Sequence, residues 1–585
     1  MATLSVLDSY RRCFTPEDEV FLHYYDFGER GQPLESSLTR GRFLALAEAA
    51  AGFLKHMGLQ KGDHVVHCFG RNHHLDLVFR LAGVFVGTVA VTVNWQADDA
   101  ETVRYKIELT AGRLIIYDKT FAAKLLEPVR SRFPNIPFCP VEEGSWISAA
   151  SERATPSPLG LHDPKMVIFT SGTTGKPKGV AHAYRSYATN RQTFESFLDL
   201  KAEDRVAFMI VNPLHHANAT AITDLALSRP RSFIHLFSRY STPFWELLTR
   251  ARGGGYRRMI APVVARHFDF LAQLEQDRRL PLPLNELRAA LGRVDFLVGS
   301  APVGPTTVQR IRNFTGRLPL VRFGSTETCL QVMGIPKHLS DSRVLAAFEK
   351  GWRPEKGPVG YYIGRPHPPF TRVAVVAGVD PEDRDRFLSP VPAGECGYII
   401  TKGDHIMTGY VKNRRAANRV IHEGWYTGLM DMGFFLIGAD GERDFYWVSR
   451  ESSLLIRGGA NYAYEQINQV LTGFLIRNLL LNEAAFDLAV VGIRVKSEHE
   501  DSCCLTIQFS DQGSRQKWGS AVAALFKTAH PDLPKFAHPE FIRFAAIPRN
   551  FKGAVLVPAL KQDFRNWLAR EDEAGGPGQH EHKHP

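Results

Sequence analysis

Apolar positions follow two spacings from about residue 40 onward. The helix-like segments, with apolar residues every three or four positions, cover residues 40–57, 75–86 and 98–109, and the strand-like runs cover residues 64–68, 89–93, 113–117, 296–299 and 320–324. Helices that alternate with short apolar strands are typical of a parallel α/β sheet covered by helices. The pattern predicts a large N-terminal domain of parallel or mixed sheets with covering helices.

The pattern changes after residue 450. Strands are predicted at residues 453–457, 488–493 and 504–509, and helices at residues 464–474 and 521–528. These elements indicate a small α+β domain, and a chain of 585 residues exceeds the size of one ordinary core. We therefore predict an N-terminal domain over residues 1–449, a mobile C-terminal α+β domain over residues 450–570 and a disordered polar tail over residues 571–585.

Composition and charge favour a globular protein and argue against a nucleic-acid-binding or membrane-spanning one. With 44% hydrophobic and 23% charged residues the chain is typical of a soluble globular protein. The net charge of +10 lies in short, separated clusters, which argues against nucleic-acid binding. The apolar stretch 81–95 is broken by Gly83, Gly87 and Thr88, so we expect a helix running into a strand and no transmembrane segment.

The cysteines and histidines indicate neither a metal site nor a redox centre. The seven cysteines include no CxxC pair and no Cys/His metal spacing, which indicates a reducing, cytoplasmic compartment. Cys503 and Cys504 sit in an apolar run that suits a buried strand better than a redox pair. The tail histidines are interpreted as solvated rather than as a metal site.

The segment VIFTSGTTGKPKGV, residues 167–180, concentrates phosphate-binding chemistry. An apolar, strand-like run leads into a loop rich in glycine, hydroxyl side chains and lysine. Glycines let backbone N–H groups approach a polyphosphate, hydroxyls donate hydrogen bonds and lysines neutralise charge. The loop is not a Walker P-loop, because only two residues separate Gly172 from Gly175 and Pro177 stands where that motif has Ser or Thr.

This loop resembles the phosphate-binding loop of the acyl-adenylate-forming superfamily, which includes acyl-CoA and aryl-CoA synthetases, peptide-synthetase adenylation domains and beetle luciferases. The resemblance implies that it binds the β- and γ-phosphates of ATP through Thr170, Ser171, Gly172, Thr173, Thr174, Gly175 and Lys176. Further family landmarks follow in order over roughly residues 40–565.

The run VRFGSTET, residues 321–328, places an aromatic ring, hydroxyls and a carboxylate just after an apolar strand. Ligands of open α/β sheets bind beyond strand carboxyl ends, where a carboxylate can hold Mg²⁺. By the resemblance, Phe323 flanks adenine, Thr326 meets the α-phosphate and Glu327 holds magnesium. Gly324 and Ser325 complete this predicted nucleotide site.

Two further turns match the family. The turn Gly299, Ser300, Ala301 and Pro302 resembles the one that lines adenine and the acyl pocket. In the NPLHHAN segment, His216 best matches the family histidine that borders the carboxylate. His215 is the second candidate, and a core histidine without a catalytic role remains the alternative.

Toward the C-terminus, the resemblance assigns the ribose hydroxyls to Asp431 and a phosphate or ribose contact to Arg450. Gly458 and Gly459 belong to a glycine turn that enters the active site of the family for the second half-reaction. Ser452 stands at the family's hinge position.

This chain differs from the family at one catalytic position. The family has a lysine there, and this chain has Ala554. Three interpretations stay open. Lys552 substitutes for it, adenylation is impaired while acyl transfer persists, or the chain binds nucleotide or acyl-adenylate without turnover. Losing one positioned cation costs roughly 10²–10³ in rate.

The resemblance therefore implies an AMP-forming acid–thiol ligase with His216, Glu327 and Lys552 as catalytic candidates. It would use ATP, Mg²⁺ and CoA or a carrier phosphopantetheine, so its partners would be a small carboxylic acid and an acyl-carrier protein if one supplies the thiol. An amide, lactone or light-emitting outcome of the adenylate is a further alternative within the superfamily. The residues do not identify the acid.

Overall fold

The computed structural model describes residues 5–28, 32–148, 156–170, 176–300, 302–352, 359–450, 453–457, 460–495, 501–526, 533–549 and 553–573. The chain divides into two compact units. The first consists of Met1–Lys356, Gly360–Leu429 and Phe435–Tyr446, and the second of Gly357–Val359, Met430–Phe434 and Trp447–Pro585. The domain boundary predicted at residues 449 and 450 stays a prediction.

The described helices of the first unit are α1 (Val6–Arg11), α2 (Arg40–His56), α3 (His74–Val86), α4 (Ala100–Thr110), α5 (Lys119–Arg130), α6 (Ser145–Ser148), α7 (Tyr184–Phe197), α8 (Ala217–Ser228), α9 (Phe244–Arg250), α10 (Ala265–Gln276), α11 (Leu284–Leu291), α12 (Pro305–Thr315), α13 (Asp341–Trp352) and α14 (Arg414–Asn418). Short 3₁₀ turns lie at Arg12–Phe14 and Ala251–Gly254. The helices predicted near residues 40, 75 and 98 are confirmed.

Its strands are β1 (Val20–Phe27), β2 (Pro33–Thr39), β3 (His64–Cys68), β4 (Val89–Thr92), β5 (Leu114–Tyr117), β6 (Phe138–Pro140), β7 (Pro164–Phe169), β8 (Gly179–Ala183), β9 (Val206–Ile210), β10 (Ser232–Phe237), β11 (Arg258–Val263), β12 (Val294–Val298), β13 (Leu320–Phe323), β14 (Met333–Gly334), β15 (Tyr361–Pro366), β16 (Arg372–Val376), β17 (Gly397–Lys402), β18 (Gly409–Tyr410), β19 (Ile421–His422) and β20 (Trp425–Tyr426). Strands β21 (Asp431–Ile437) and β22 (Arg443–Arg450) run along the chain from one unit into the other.

Two sheets organise the first unit. One contains the order β15-β14-β13-β12-β11-β9-β10-β1-β2, in which β13, β12, β11, β9, β10 and β1 are mutually parallel. The other has the order β18-β8-β7-β4-β3-β5-β6, with β7, β4, β3, β5 and β6 parallel. Antiparallel strands flank both parallel blocks, as in mixed sheets.

The strand β5 shows why these runs are apolar throughout. Leu114 and Ile116 point into the main core, which also contains helices α2, α3, α7 and α8, while Ile115 and Tyr117 face a second cluster with residues of α4 and α5. Because strand side chains alternate between faces, a strand covered on both sides is apolar at every position. The main core therefore lies between the two sheets, with helices inside it.

The second unit contains β23 (Leu454–Arg457), β24 (Ala460–Ala463), α15 (Tyr464–Leu479), β25 (Phe486–Ile493), β26 (Ser502–Phe509), α16 (Gln512–Leu525), β27 (Phe541–Phe544) and α17 (Val557–Glu573), with 3₁₀ turns at Glu483–Ala485 and Lys535–Ala537. Strand β26 pairs antiparallel with β25 and parallel with β27. The α+β composition agrees with the pattern of the sequence.

The helix predicted at residues 521–528 is placed wrongly, since α16 begins at Gln512. Asp511 caps its first turn by accepting a hydrogen bond from the Ser514 backbone N–H. The first turns of α16 are polar and contain glycine, so they lack the apolar spacing that predicts a helix.

Cys503 and Cys504 are buried in β26, as predicted. In the described part of the chain, no helix is both long and apolar enough to cross a membrane. Across the same described ranges, no group of His, Cys, Asp and Glu side chains is arranged to hold a metal ion, and the tail histidines lie outside them.

Candidate active site

The base of the glycine-rich loop is a closed hairpin. Strands β7 and β8 pair antiparallel, with Phe169 opposite Gly179. Beyond that pair, the Thr170 N–H donates to the Lys178 carbonyl oxygen at 3.1 Å, and the Lys178 N–H donates to Thr170 Oγ1 at 3.4 Å. The Lys176 ammonium lies over the ring of Tyr105, 5.1 Å from its centroid. The predicted phosphate ligands Ser171, Gly172, Thr173, Thr174 and Gly175 lie outside the described residues.

The predicted magnesium ligand Glu327 is attached to this hairpin. Strand β18 pairs with β8, which brings Tyr410 opposite Val180. The Tyr410 hydroxyl donates to Glu327 Oε1 at 3.2 Å, and the Met407 N–H donates to the Glu327 carbonyl oxygen at 2.7 Å. Because Oε1 has one donor among the described residues and the carboxylate is only partly buried, it keeps lone pairs for a hard cation such as Mg²⁺.

The turn between β13 and β14 positions Glu327 and Thr326. Gly324 is required there, since a Cβ on it would lie 1.5 Å from the Leu330 carbonyl oxygen. Nε2–H of His182 donates to the Thr326 carbonyl oxygen at 2.8 Å. Burial lowers the pKa of His182 to about 4, so its ring is neutral at physiological pH. Phe323 ends β13 and is half-buried.

The histidine turn after β9 is held by side chains from elsewhere in the first unit. Asn72 Oδ1 accepts from the Leu214 N–H at 2.7 Å, and Arg80 Nη2 donates to the Leu214 carbonyl oxygen at 2.9 Å. His216 is the N-cap residue of α8 and is partly exposed, whereas His215 is buried with its ring 5.8 Å from that of Trp95. Both candidates therefore occupy one tightly held turn.

Arg80 is itself fixed by a buried carboxylate. Its Nε and Nη2 donate to the two oxygens of Asp76 at 2.8 and 2.9 Å, and His67 Nδ1 lies 2.7 Å from Asp76 Oδ1. Burial by itself raises the pKa of Asp76. Neighbouring groups, among which the Arg80 guanidinium has the largest effect, outweigh burial and lower this pKa to about 2. The Asp76 carboxylate is consequently ionised and neutralises Arg80 beneath the histidine turn.

The turn after β12 has a sharp backbone. Ser300 adopts a φ of +71°, in the left-handed region that non-glycine residues rarely occupy. A Cβ on Gly299 would be tightly packed, since it would lie 3.0 Å from the Arg322 carbonyl oxygen. Pro302 is exposed, and Ala301 lies outside the described residues.

Parallel strand order brings these turns to one edge of the first unit. The histidine turn and the residues at 299 and 323 lie at or beyond the carboxyl ends of β9, β12 and β13, which are parallel within one sheet. Thr92, at the end of β4 in the other sheet, has its Oγ1 3.4 Å from the His215 carbonyl oxygen. The carboxyl ends of both sheets therefore meet at the histidine turn, where α/β proteins bind ligands.

In the second unit, Asp431 and Arg450 contact each other. The buried Asp431 carboxylate accepts from Arg450 Nε at 3.1 Å and from Trp447 Nε1 at 2.9 Å, both through Oδ1. The Arg450 side chain is 59% exposed, whereas that of Asp431 is buried. Gly458 and Gly459 lie outside the described residues.

The loop in which Ala554 stands at the position of the family lysine is described on both sides of residues 550–552. Arg549 donates from Nη1 to the Gly553 carbonyl oxygen at 2.6 Å and from Nη2 to Asp487 at 2.5 Å. Ala554 has an aliphatic side chain and supplies no cation. Lys552, the predicted substitute, lies outside the described residues.

Several side chains of this site were missed in the sequence. Asn72 and Arg80 precede the histidine turn by more than 130 positions and carry no motif of their own. Tyr410 lies 83 positions after Glu327, and its contact with that carboxylate became visible only in the structure. Arg322 directly precedes Phe323 in the second motif, and its charge within an apolar strand was the available signal.

Sequence comparison identifies a family and named relatives to which this chain is similar. The family described as AMP-binding enzyme matches residues 12–411. The long-chain-fatty-acid–CoA ligase FadD13 of Mycobacterium tuberculosis is 24% identical over 538 residues, 90% of this chain and 93% of that protein. The 2-succinylbenzoate–CoA ligase of Bacillus licheniformis is 26% identical over 428 residues, 73% of this chain and 77% of that protein.

Solved structures show the same fold. ATP-bound MatB from Rhodopseudomonas palustris superposes with a TM-score of 0.72 at 19% identity, covering 96% of this chain and 100% of that chain. O-succinylbenzoate coenzyme A synthetase from Bacillus subtilis, in complex with ATP and magnesium ion, has a TM-score of 0.68 at 19% identity, covering 94% and 98%. The predicted α/β fold class is confirmed.

The family match covers more than half of the chain, and the relatives are acid–thiol ligases by name. The predicted enzyme class is thereby confirmed, and ATP, Mg²⁺ and CoA are the cofactors that the names of these proteins contain. The chain belongs to the AMP-binding enzyme family.

Proposed function

We propose that this protein activates a small carboxylic acid with ATP to an acyl-adenylate, releases pyrophosphate, and transfers the acyl group to the thiol of CoA or of a carrier phosphopantetheine. The observation that carries the proposal is the contact between Tyr410 and Glu327 beside the β7–β8 hairpin. It links the carboxylate assigned to magnesium with the strand that leaves the glycine-rich loop. Family membership supports the same chemistry.

In the first half-reaction, an oxygen of the substrate carboxylate attacks the α-phosphorus of ATP, and the bond to the pyrophosphate oxygen breaks. Thr170, the loop and Lys176 would hold the β- and γ-phosphates, and Thr326 would meet the α-phosphate. Glu327 would hold Mg²⁺, which when bound offsets phosphate charge. Phe323 and the turn at Gly299 would flank adenine, and His216 would border the reacting carboxylate.

In the second half-reaction, a thiolate attacks the acyl carbonyl, and AMP leaves as the C–O bond of the mixed anhydride breaks. Asp431 would bind the ribose hydroxyls and Arg450 a phosphate or ribose oxygen. Their mutual hydrogen bond, at 3.1 Å, supports this assignment because it pre-orients a carboxylate acceptor beside a guanidinium donor. Gly458 and Gly459 would take part in this step.

Acid-dependent exchange of labelled pyrophosphate into ATP tests the first half-reaction on the full-length protein. We expect exchange with at least one acid of a panel that spans short, aromatic and medium-chain acids. Absence of exchange with every acid, together with tight binding of ATP by calorimetry, would instead favour the competing function of a non-catalytic nucleotide or acyl-adenylate binder. Ala554 at the family lysine position motivates that competitor.

Lys552 is proposed as the cation that replaces the family lysine. Replacing it with alanine removes charge stabilisation of the transition state, so Lys552→Ala should lower the exchange rate about 10²–10³-fold. Lys517→Ala is the matched control, because Lys517 is an exposed lysine of α16. Unchanged exchange in Lys552→Ala would show that another group stabilises the transition state.

A further inference from the structure

Arg322 is a buried cation with no counter-ion among the described residues. Its side chain belongs to β13 and the residue is 4% exposed. The guanidinium atoms Nε and Nη2 are both buried and have no hydrogen-bond partner among the described residues. Within the same described ranges, no carboxylate lies at ion-pair distance from it, and burial alone lowers its pKa to about 10. Arg322 therefore remains charged at neutral pH.

Three other buried cations of the first unit each have an acidic partner. Lys165 lies 2.9 Å from Asp224, and Lys106 is paired with Asp98. Arg40, which is fully buried, donates to Glu19 and to two backbone carbonyl oxygens. Arg322 differs from them because its charge faces no acid in the described part of the protein.

The guanidinium lies against the turn that follows β12. Its Cζ atom is 3.3 Å, and its Cγ atom 3.2 Å, from the position that a Cβ on Gly299 would occupy. Val321 pairs with Val298, so Arg322 stands beside Gly299 at the carboxyl edge of two parallel strands. The same edge carries the histidine turn and Glu327, which places the cation within the candidate active site.

An uncompensated buried guanidinium is unfavourable for folding. Removing a charge from water costs several kcal/mol unless an opposite charge or hydrogen bonds replace the lost hydration. Unsatisfied buried groups of this kind are rare in folded proteins, and one that persists beside a binding site calls for a partner that the chain itself does not supply. The planar guanidinium matches the two oxygens of a carboxylate or the oxygens of a sulfonate.

We infer that Arg322 binds a second anionic group of the acid substrate, so that the preferred substrates are short acids with one reacting carboxylate and a further carboxylate or sulfonate. This inference rests on the proposed function and specifies its substrate class. ATP is not the partner of this guanidinium, because the proposed phosphate ligands are the glycine-rich loop, Thr326 and Glu327, whereas Arg322 is packed under the turn assigned to the acyl pocket.

The test compares dicarboxylic acids of two to four intervening bond lengths with their monomethyl esters, which keep the shape and remove one charge. Malonate, succinate and glutarate form one series and the half-esters the other, with kcat/KM read from pyrophosphate exchange. Wild-type protein should prefer the diacid by about 10²-fold or more, because a site built for a polar group rejects an analogue that lacks it. Arg322→Met should abolish that preference while retaining exchange with the half-ester.

Arg312→Met is the matched control, since Arg312 is an exposed arginine of the neighbouring helix α12. Arg322→Met should also unfold at the same or a higher temperature than the wild type, because it removes an unpaired buried charge. Equal losses for diacid and half-ester in Arg322→Met would overturn the inference, as would a wild-type preference for the half-esters.

Calorimetric titration of the diacids separates failure of the inference from failure of the proposed function. If no acid supports exchange but the diacid binds wild-type protein and not Arg322→Met, the anion site stands and the ligase activity does not. If exchange proceeds with other acids while the diacids neither bind nor react, the ligase activity stands and the anion site does not.

Discussion

Glu465, in the first turn of α15, is a carboxyl group whose surroundings disfavour its charge. Burial raises the pKa of Glu465 to about 7, and the Asp431 carboxylate raises it further while the Arg450 guanidinium opposes the rise. Its Oε2 atom is buried and has no hydrogen-bond partner among the described residues. The folded protein therefore keeps a proton near neutral pH that the unfolded chain loses at about pH 4.3.

This difference makes stability depend on pH. Between about pH 4.3 and 7 the folded state binds more protons than the unfolded state, so its free energy of unfolding falls as the pH rises. Glu465→Gln removes the titration. It should raise the urea midpoint at pH 8 much more than at pH 5, because pH 5 lies near the lower end of the interval over which only the unfolded chain loses this proton.

Glu483→Gln is the control for that measurement, since Glu483 is exposed in a 3₁₀ turn of the same unit. Its urea midpoints at pH 5 and pH 8 should both match the wild type. An identical gain at the two pH values in Glu465→Gln would contradict a proton-linked origin.

At the scale of elements, the connection from β13 to β14 determines where Thr326 and Glu327 lie. Cys329 and Leu330 both have positive φ angles, of 48° and 88°, and the Leu330 N–H donates to the Ser325 carbonyl oxygen at 3.1 Å. The tight return of the chain brings the Leu330 carbonyl against Gly324. Glycine at 324 is therefore a steric requirement of the turn.

Gly324→Ala should disrupt this turn. The added Cβ would lie 1.5 Å from the Leu330 carbonyl oxygen, a backbone atom that cannot move aside without opening the turn. We expect a loss of about 3 kcal/mol or more in the free energy of unfolding, together with loss of pyrophosphate exchange. Calorimetric unfolding and the exchange assay measure the two effects.

Gly519→Ala provides the contrasting glycine. Gly519 lies inside α16 and a Cβ there meets nothing within 4 Å, so the same substitution should stabilise the second unit by about 0.5–1 kcal/mol. Similar destabilisation by both alanines would argue against a steric origin at Gly324.

At the scale of the whole first unit, a buried ionic cluster connects the two sheets. Lys165 belongs to β7 of one sheet, and its Nζ lies 2.9 Å from Asp224 Oδ1 on α8 and 2.8 Å from the Tyr10 hydroxyl. The Tyr10 hydroxyl also lies 2.9 Å from Asp224 Oδ1. Helix α8 packs on β9 and β10 of the other sheet, so the cluster spans the core between the sheets.

Breaking this pair on one side should be costly. Lys165→Met leaves the Asp224 carboxylate buried without its cation, and we expect a loss of about 3–5 kcal/mol in the free energy of unfolding. The double variant Lys165→Met/Asp224→Leu should recover most of that loss, because it removes both charges. Urea unfolding of the two single variants and the double variant gives the coupling energy. Additive losses would show that the two charges do not stabilise each other.

Much of the fold could be predicted because its signals are local. The strand at residues 64–68 has the predicted bounds, and α2 ends one residue before its prediction, since apolar periodicity marks both. The start of α16 could not be predicted in this way, because its first turns are polar and are stabilised by the Asp511 cap. Residue types also predict nucleotide binding by the glycine-rich loop and the Phe323–Glu327 turn, and that assignment stays a prediction.

The sequence by itself determined the α/β class, most elements and the family, since these depend on periodicity and on motifs within a few consecutive residues. Only the tertiary structure decided which distant residues meet. The Tyr410 hydroxyl donates to Glu327, 83 positions earlier in the chain, and Arg322 packs on Gly299 with no counter-ion in the described part of the protein. Such contacts follow from strand order and register, which bring distant segments together and leave no trace in local spacing.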